Sequence, residues 1–369
     1  MKPAPPVTTA LRPMQPVDKF TLSKFTVSLH RRLQDLPKCK WLFLRFSFVI
    51  VLKQLRRCRA CIQPDARSTY PMPTPIRVDE LVKRFRSVAA LDGLAFEVPQ
   101  NSVYALVGSN GAGKTTAIKT ILNILNPTSG RVEVLGTDSR DLKGKAFETI
   151  GYVSENQELP DWMSVQQFLN FLRPFYPTWD PTFEKDLVRR FDLPPNVRLK
   201  ALSRGMRMKA ALAGALAYRP KVIILDEPFS GLDPLVRDEL IESLATRTFE
   251  TALLLSSHDM LEIESLANYV GYLQKGKLLF SEEMKTLLDR FREVKIVLSS
   301  PPAADRIWPA SWLQVDAAQP VVRFVESKFD AGLTPQSIRE FFGGNVHELE
   351  FAPMSLRSIF VAIARSLGA

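Results

Sequence analysis

Gly108-Ser109-Asn110-Gly111-Ala112-Gly113-Lys114-Thr115 is the stretch from which the fold can be read. It fits the pattern G-x-x-x-x-G-K-[ST]. Its glycines let backbone N–H groups converge on an anion with no Cβ in the way. A helix starting here adds the partial positive charge of its N-terminus. Lys114 then reaches the β- and γ-phosphates of ATP, and the Thr115 hydroxyl ligates Mg²⁺. Background composition produces such a match on the order of once per hundred chains of this length, so context must decide. The apolar run Val103–Val107 stands before the loop. After it, residues 114–125 place Ala117, Ile118, Ile121, Leu122 and Leu125 on one helical face. Strand, glycine loop and helix in that order make residues 108–115 and the following Thr116 the expected nucleotide contacts.

Downstream, Val222–Asp226 is a continuous apolar run ending in a pair of acids, Asp226 and Glu227, and stopped by Pro228. Unbroken apolar runs are what buried parallel strands look like. Below a phosphate loop, such a strand is expected to lie beside the loop's own strand. Asp226 then approaches Mg²⁺, directly or through water. Glu227 faces the γ-phosphate and accepts a proton from the attacking water.

Outward from these two strands the chain alternates, which marks an α/β fold. Short strands are predicted at Ile76–Phe85, 95–98, 131–135, 150–153 and 252–256. Residues 161–193 read as helical, broken by Pro174, Pro177 and Pro181. Residues 270–280 read as a hairpin turning at Lys275-Gly276. From about 291 a small α+β segment follows, with strands at 294–298, 321–324 and 349–351 and helices at 335–342 and Leu356–Ser366.

Further residues together resemble the ATP-binding cassette (ABC) ATPases. Leu202-Ser203-Arg204-Gly205-Met206 is similar to their LSGGQ signature, and Ser230-Gly231-Leu232-Asp233 to their D-loop. His258 matches their switch histidine, and Phe85 the aromatic that stacks on adenine. The resemblance covers about 76–284, in family order. Phe175-Tyr176-Pro177-Thr178-Trp179-Asp180 and the C-terminal α+β segment resemble the ATPase subunits of ABC-2 type transporters, mostly exporters.

The resemblance implies a P-loop NTPase cassette: a mixed sheet with a β-subdomain and a helical subdomain, occupying 72–290, then a small C-terminal α+β domain at 291–369. It implies that Lys114, Glu227 and His258 are catalytic. Ser203 and Gly205 contact the γ-phosphate of ATP held by an opposite subunit, a homodimer or heterodimer partner, and Asp233 couples the two sites. It also implies a separate integral membrane permease, with this chain peripheral at the cytoplasmic face of the cell membrane. Residues 158–171, with Leu159, Trp162, Met163 and Val165, are expected to form a partly apolar surface that receives the permease. There are departures. The Q-loop position holds Glu155 instead of Gln; a carboxylate can meet Mg²⁺ or water but donates no hydrogen bond. Gln157 stands two residues on as a substitute. Met206 replaces the signature Gln, and Phe85 carries no hydroxyl.

Charge separates the first 71 residues from the rest. They hold 14 Lys and Arg against 3 Asp, a net of +11, whereas the remainder carries 35 basic and 36 acidic residues. All three cysteines, Cys39, Cys58 and Cys61, lie in this segment, so no disulfide framework is expected in the body. The segment ends in a proline-rich breaker at 70–75. Three readings stand: an extension outside the mature protein, with Met72 as its start; a basic arm touching anionic lipid; or a targeting peptide. The most apolar stretch, residues 41–52, is interrupted by Arg45 and too short to span a bilayer. A soluble ABC ATPase acting on nucleic acid or ribosomes is the competing function. The near-neutral body and the single cassette argue against it, and no nucleic acid is expected as a partner.

Overall fold

The elements follow from the burial each segment can achieve. In the computed structural model, residues 74–245, 251–302, 306–317 and 320–366 are described, all within one unit, Ala66–Ala369. The basic segment 1–71 lies outside the described residues. The chain runs β1 (Ile76–Phe85), β2 (Val88–Val98), β3 (Val103–Val107), α1 (Lys114–Ile121), β4 (Ser129–Val134), β5 (Thr137–Asp138) and β6 (Ile150–Ser154). Helices α2 (Val165–Leu172), α3 (Pro181–Arg190) and α4 (Arg204–Leu216) come next, then β7 (Val222–Asp226), α5 (Pro234–Ala245), β8 (Ala252–Ser257), α6 (Met260–Leu266), β9 (Tyr269–Gln274), β10 (Lys277–Glu283) and α7 (Met284–Arg290). The last part holds β11 (Arg292–Leu298), β12 (Trp312–Asp316), β13 (Val321–Glu326), α8 (Thr334–Phe341), β14 (Val346–Pro353) and α9 (Leu356–Ser366).

The central sheet has the order β10-β9-β3-β8-β7-β6, with every pair parallel except β10 on β9. Strands β3, β7 and β8 are apolar up to their last residues because both faces are covered. Val103, Ala105 and Val107 of β3 point into one hydrophobic cluster, and Tyr104 and Leu106 into the other. On β7, Ile223 and Leu225 face the first cluster and Val222 and Ile224 the second. An antiparallel sheet, β2-β1-β4-β5, shares the second cluster through Ile76, Leu94 and Val132. The helical layer α2–α4 lies on the first. Ser164 opens α2 with a reciprocal capping box to Gln167, and Asp180 caps α3 ahead of Pro181.

Two expectations need correction. The strand ending in Asp226 is not beside the phosphate-loop strand; β8 is inserted between them. In addition, Leu159, Met163 and Val165 are buried, and only Trp162 of that group is exposed, at 69%. Those three fill the core against Phe168 and Leu169, an apolar demand that takes precedence over display. Several elements exceed their expected bounds: β2 begins at Val88, and β12 was not anticipated.

The C-terminal segment forms its own antiparallel sheet, β12-β13-β11-β14. Ile338 and Phe342 of its α8 region pack with Trp312 and Phe324 in a separate cluster. Helix α9 instead joins the main core. Phe360 lies 4.6 Å from Tyr272 and 5.5 Å from Phe280, ring to ring, on the β9–β10 hairpin. No helix among the described residues is long and apolar enough to cross a membrane.

Candidate active site

The phosphate loop is shaped by contacts from distant strands. Gly113 caps α1 at φ +114, a backbone conformation that side-chain-bearing residues rarely adopt. Gly108 lies so close to β9 that a Cβ there would collide with the carbonyl oxygen of Leu273. The hairpin turn is tied to the loop by Gly276 N–H donating to Ala112 O at 2.9 Å. Lys114 is 5% exposed, and its ammonium donates to Gly108 O at 2.6 Å and to Ser109 O at 3.3 Å. It also lies 3.0 Å from Oε1 of Glu227. That oxygen is buried and accepts no hydrogen bond, so the contact with Lys114 is a charge pairing without hydrogen-bond alignment.

Asp226 and Glu227 are held by the strand inserted beside them. Ser256 on β8 donates from Oγ to Asp226 Oδ1 at 2.7 Å and accepts from Glu227 N–H at 2.9 Å. Thr115 Oγ1 donates to the same Asp226 oxygen at 3.0 Å. Burial raises the Asp226 pKa; the Ser256 and Thr115 hydrogen bonds oppose this, and the neighbouring Glu227 charge adds to it. Glu227 has φ +50, a left-handed conformation at the strand end that turns its carboxylate toward the loop. His258 Nδ1 sits 2.8 Å from Glu227 Oε2. The residues on either side of the histidine are tied together: Ser257 Oγ accepts from Asp259 N–H at 3.0 Å and donates to Glu262 Oε2 at 2.6 Å. Burial raises the pKa of Glu262 as well.

A cleft opens above this cluster. It is lined by Ala90, Ser109, Asn110, Gly111, Gly113, Lys114, Thr115, Thr116, Glu155 and Glu227. Of the residues expected to contact nucleotide, Gly108 and Ala112 shape the loop from beneath. Three others lie outside the cleft. Phe85, at the end of β1, is 46% exposed, with Lys83 Nζ 5.0 Å from its ring centroid. Ser203 accepts a cap hydrogen bond from Met206 N–H at 3.2 Å, and Gly205 packs on Val236 of α5. Glu155 Oε1 accepts from Ser230 Oγ at 2.8 Å and from Arg204 Nη2 at 3.3 Å. Gln157 turns away: its Oε1 accepts from Ser154 N–H at 3.4 Å. Asp233 caps α5 by accepting from Val236 N–H at 3.1 Å.

A family model described as ABC transporter matches residues 91–230. The uncharacterized ABC transporter ATP-binding protein YhaQ of Bacillus subtilis is 31% identical over 231 residues, covering 61% of this chain and 76% of that protein. This chain belongs to the ABC transporter ATP-binding proteins. The bacitracin transport ATP-binding protein BcrA of Bacillus licheniformis is 32% identical over 213 residues, 56% of this chain and 69% of that one. Among solved structures, an ATP-binding subunit of an ABC transporter aligns with a TM-score of 0.54 at 26% identity, covering 58% of this chain and 92% of the other. As an ABC transporter ATP-binding protein, the chain binds nucleotide and hydrolyses ATP.

The cleft also fits a divalent cation. Among the described residues, no group of three or more His, Cys, Asp or Glu could hold a metal by itself. Mg²⁺ suits such a site, because it takes one or two carboxylates and completes its shell with phosphates and water. Asp226, Glu155 and the Thr115 hydroxyl are the available donors. Ser256 escaped the reading of the sequence because it ends an apolar run like any strand residue. Ala90 escaped because nothing in its neighbours marks a loop contact.

Proposed function

We propose that this ABC ATP-binding protein is the motor of an exporter, working as a two-fold sandwich dimer on a separate membrane permease at the cytoplasmic face. The observation that carries the reading is that Lys114, Thr115 and Glu227 line one cleft, with His258 against Glu227, Asp226 against Thr115, and Glu227 Oε1 buried and free of hydrogen bonds. Export is inferred from the names of relatives, which include bacitracin transport and a probable multidrug transporter of Escherichia coli, 32% identical over 37% of that protein. We take 72–290 as the ATPase domain, 291–369 as a smaller α+β domain and 1–71 as a separate extension.

In this mechanism the phosphates of ATP replace Glu227 as the partner of the Lys114 ammonium. That exchange frees the carboxylate. Glu227 Oε1 accepts a proton from water as the water oxygen bonds to the γ-phosphorus, and the bond to the β-phosphate oxygen breaks with its electron pair leaving on ADP. His258 holds Oε2 and fixes the direction of the carboxylate. Thr115, Asp226 and Glu155 would hold Mg²⁺, which when bound neutralises charge on the phosphate oxygens. Phe85 is assigned to the base. Ser203 and Gly205 lie outside their own chain's cleft, which suits a site completed by the signature of a second subunit.

The test uses the tagged full chain purified from its own cells. It should sediment with membranes and, after detergent extraction, remain bound to an integral membrane protein whose presence stimulates ATP hydrolysis. Recovery of active ATPase wholly in the soluble fraction, with hydrolysis stimulated by RNA or ribosomes, would overturn the transport reading.

A further inference from the structure

We propose that Arg204 is a positioning residue that competes with Mg²⁺ for Glu155, so that metal–nucleotide binding in the cleft loosens the signature helix from the loops it touches. This rests on reading Glu155 as a metal-facing residue of the nucleotide site. Three observations support it. Glu155 lines the cleft with Lys114, Thr115 and Glu227. The same oxygen, Oε1, takes both the Arg204 guanidinium and the Ser230 hydroxyl. Arg204 is the first residue of α4, and its guanidinium lies over Gly231, where a Cβ would come within 2.6 Å of Nη1.

One carboxylate therefore ties together the end of β6, the start of α4 and the loop after Glu227. With side-chain exposures of 53% and 35%, the Arg204–Glu155 pair is an exposed ion pair at 3.3 Å, a kind that holds weakly and exchanges partners readily. A divalent cation that draws Glu155 toward the phosphates withdraws the acceptor from Arg204. A glutamine at this position would carry no charge for Arg204 to pair with, so the device depends on the carboxylate.

The experiment measures equilibrium binding of a fluorescent ADP analogue to the full chain across a Mg²⁺ titration. ADP lacks the γ-phosphate that a partner's signature would touch, and no turnover occurs. Arg204→Ala should lower the Mg²⁺ concentration for half-maximal effect by up to about five-fold, the range set by loss of a weak ion pair. Arg204→Lys keeps the charge and should stay near wild type. In a Glu155→Gln background, Arg204→Ala should change nothing further. An unchanged Mg²⁺ midpoint in Arg204→Ala, or an equal shift in the Glu155→Gln background, overturns the proposal. Asp226→Asn separates the two levels. If it and Glu155→Gln both leave the Mg²⁺ dependence intact, the metal reading of the cleft fails. If either variant weakens it while Arg204→Ala moves nothing, only the competition fails.

Discussion

Asp226 is a poor place for a negative charge in the nucleotide-free protein. Its burial raises its pKa, which means the folded chain holds that proton more tightly than the unfolded chain does. Such a group weakens the fold as pH rises from the ordinary carboxylate value of about 4 through the raised one. Below that window both states are protonated and the penalty vanishes. Asp226→Asn should therefore raise the denaturant midpoint of the nucleotide-free protein at pH 7, with the gain disappearing by about pH 4. A variant less stable than wild type at pH 7 would show that the carboxylate is stabilised by its hydrogen bonds more than burial opposes it. Glu227 calls for a different measurement. Glu227→Gln keeps the shape but not the basicity, so phosphate release should fall at least about a hundredfold while nucleotide binding persists. Turnover near wild type would remove Glu227 from the role of base.

The phosphate loop depends on the hairpin behind it as much as on its own glycines. Gly108→Ala would drive a methyl group into the Leu273 carbonyl of β9, backbone against backbone. We expect a loss of about 1–3 kcal/mol in denaturant unfolding, the range for overpacking a well-packed site. A midpoint within error of wild type would mean that the hairpin gives way easily. Elements of this kind differ in how far sequence reveals them. The runs Val103–Val107 and Val222–Asp226 were legible to the residue, because strands covered on both faces are apolar without interruption. The hairpin at Lys275-Gly276 and helix Leu356–Ser366 were legible from turn chemistry and periodicity. The insertion of β8 between β3 and β7 was not, since lateral order in a sheet leaves no mark on any one strand. The Ser256 bridge and the pairing of Glu155 with Arg204 were invisible too: each joins residues distant in sequence, and neither partner's type names the other. The bound on α1 was overread because Leu122 and Leu125 continue the apolar face past the last helical turn at Ile121.

At the scale of the assembly, the proposed shared site makes an arithmetic prediction. Lys114→Ala disables a cleft, and Ser203→Arg disables the signature facing the partner's cleft. Mixed one to one, half the dimers carry one of each, and in these one site has both defects while the other has neither. Hydrolysis should recover to about a quarter of wild type if the sites act independently in a two-fold dimer. Mixed dimers, verified by two tags, that trap no nucleotide at the sound site would exclude the shared site. The placement of β3 has a further consequence, for the order in which the chain comes to life on the ribosome. Val103 pairs with Leu253 and Tyr104 with Tyr269, and the loop beyond is roofed by Leu273 and fastened by Gly276. The glycine loop is thus translated early and completed late, after most of the cassette has emerged. A nascent chain halted before β8 should hold no nucleotide, and one released beyond the hairpin should hold it at once, so nucleotide capture during synthesis would date the closure of the central sheet.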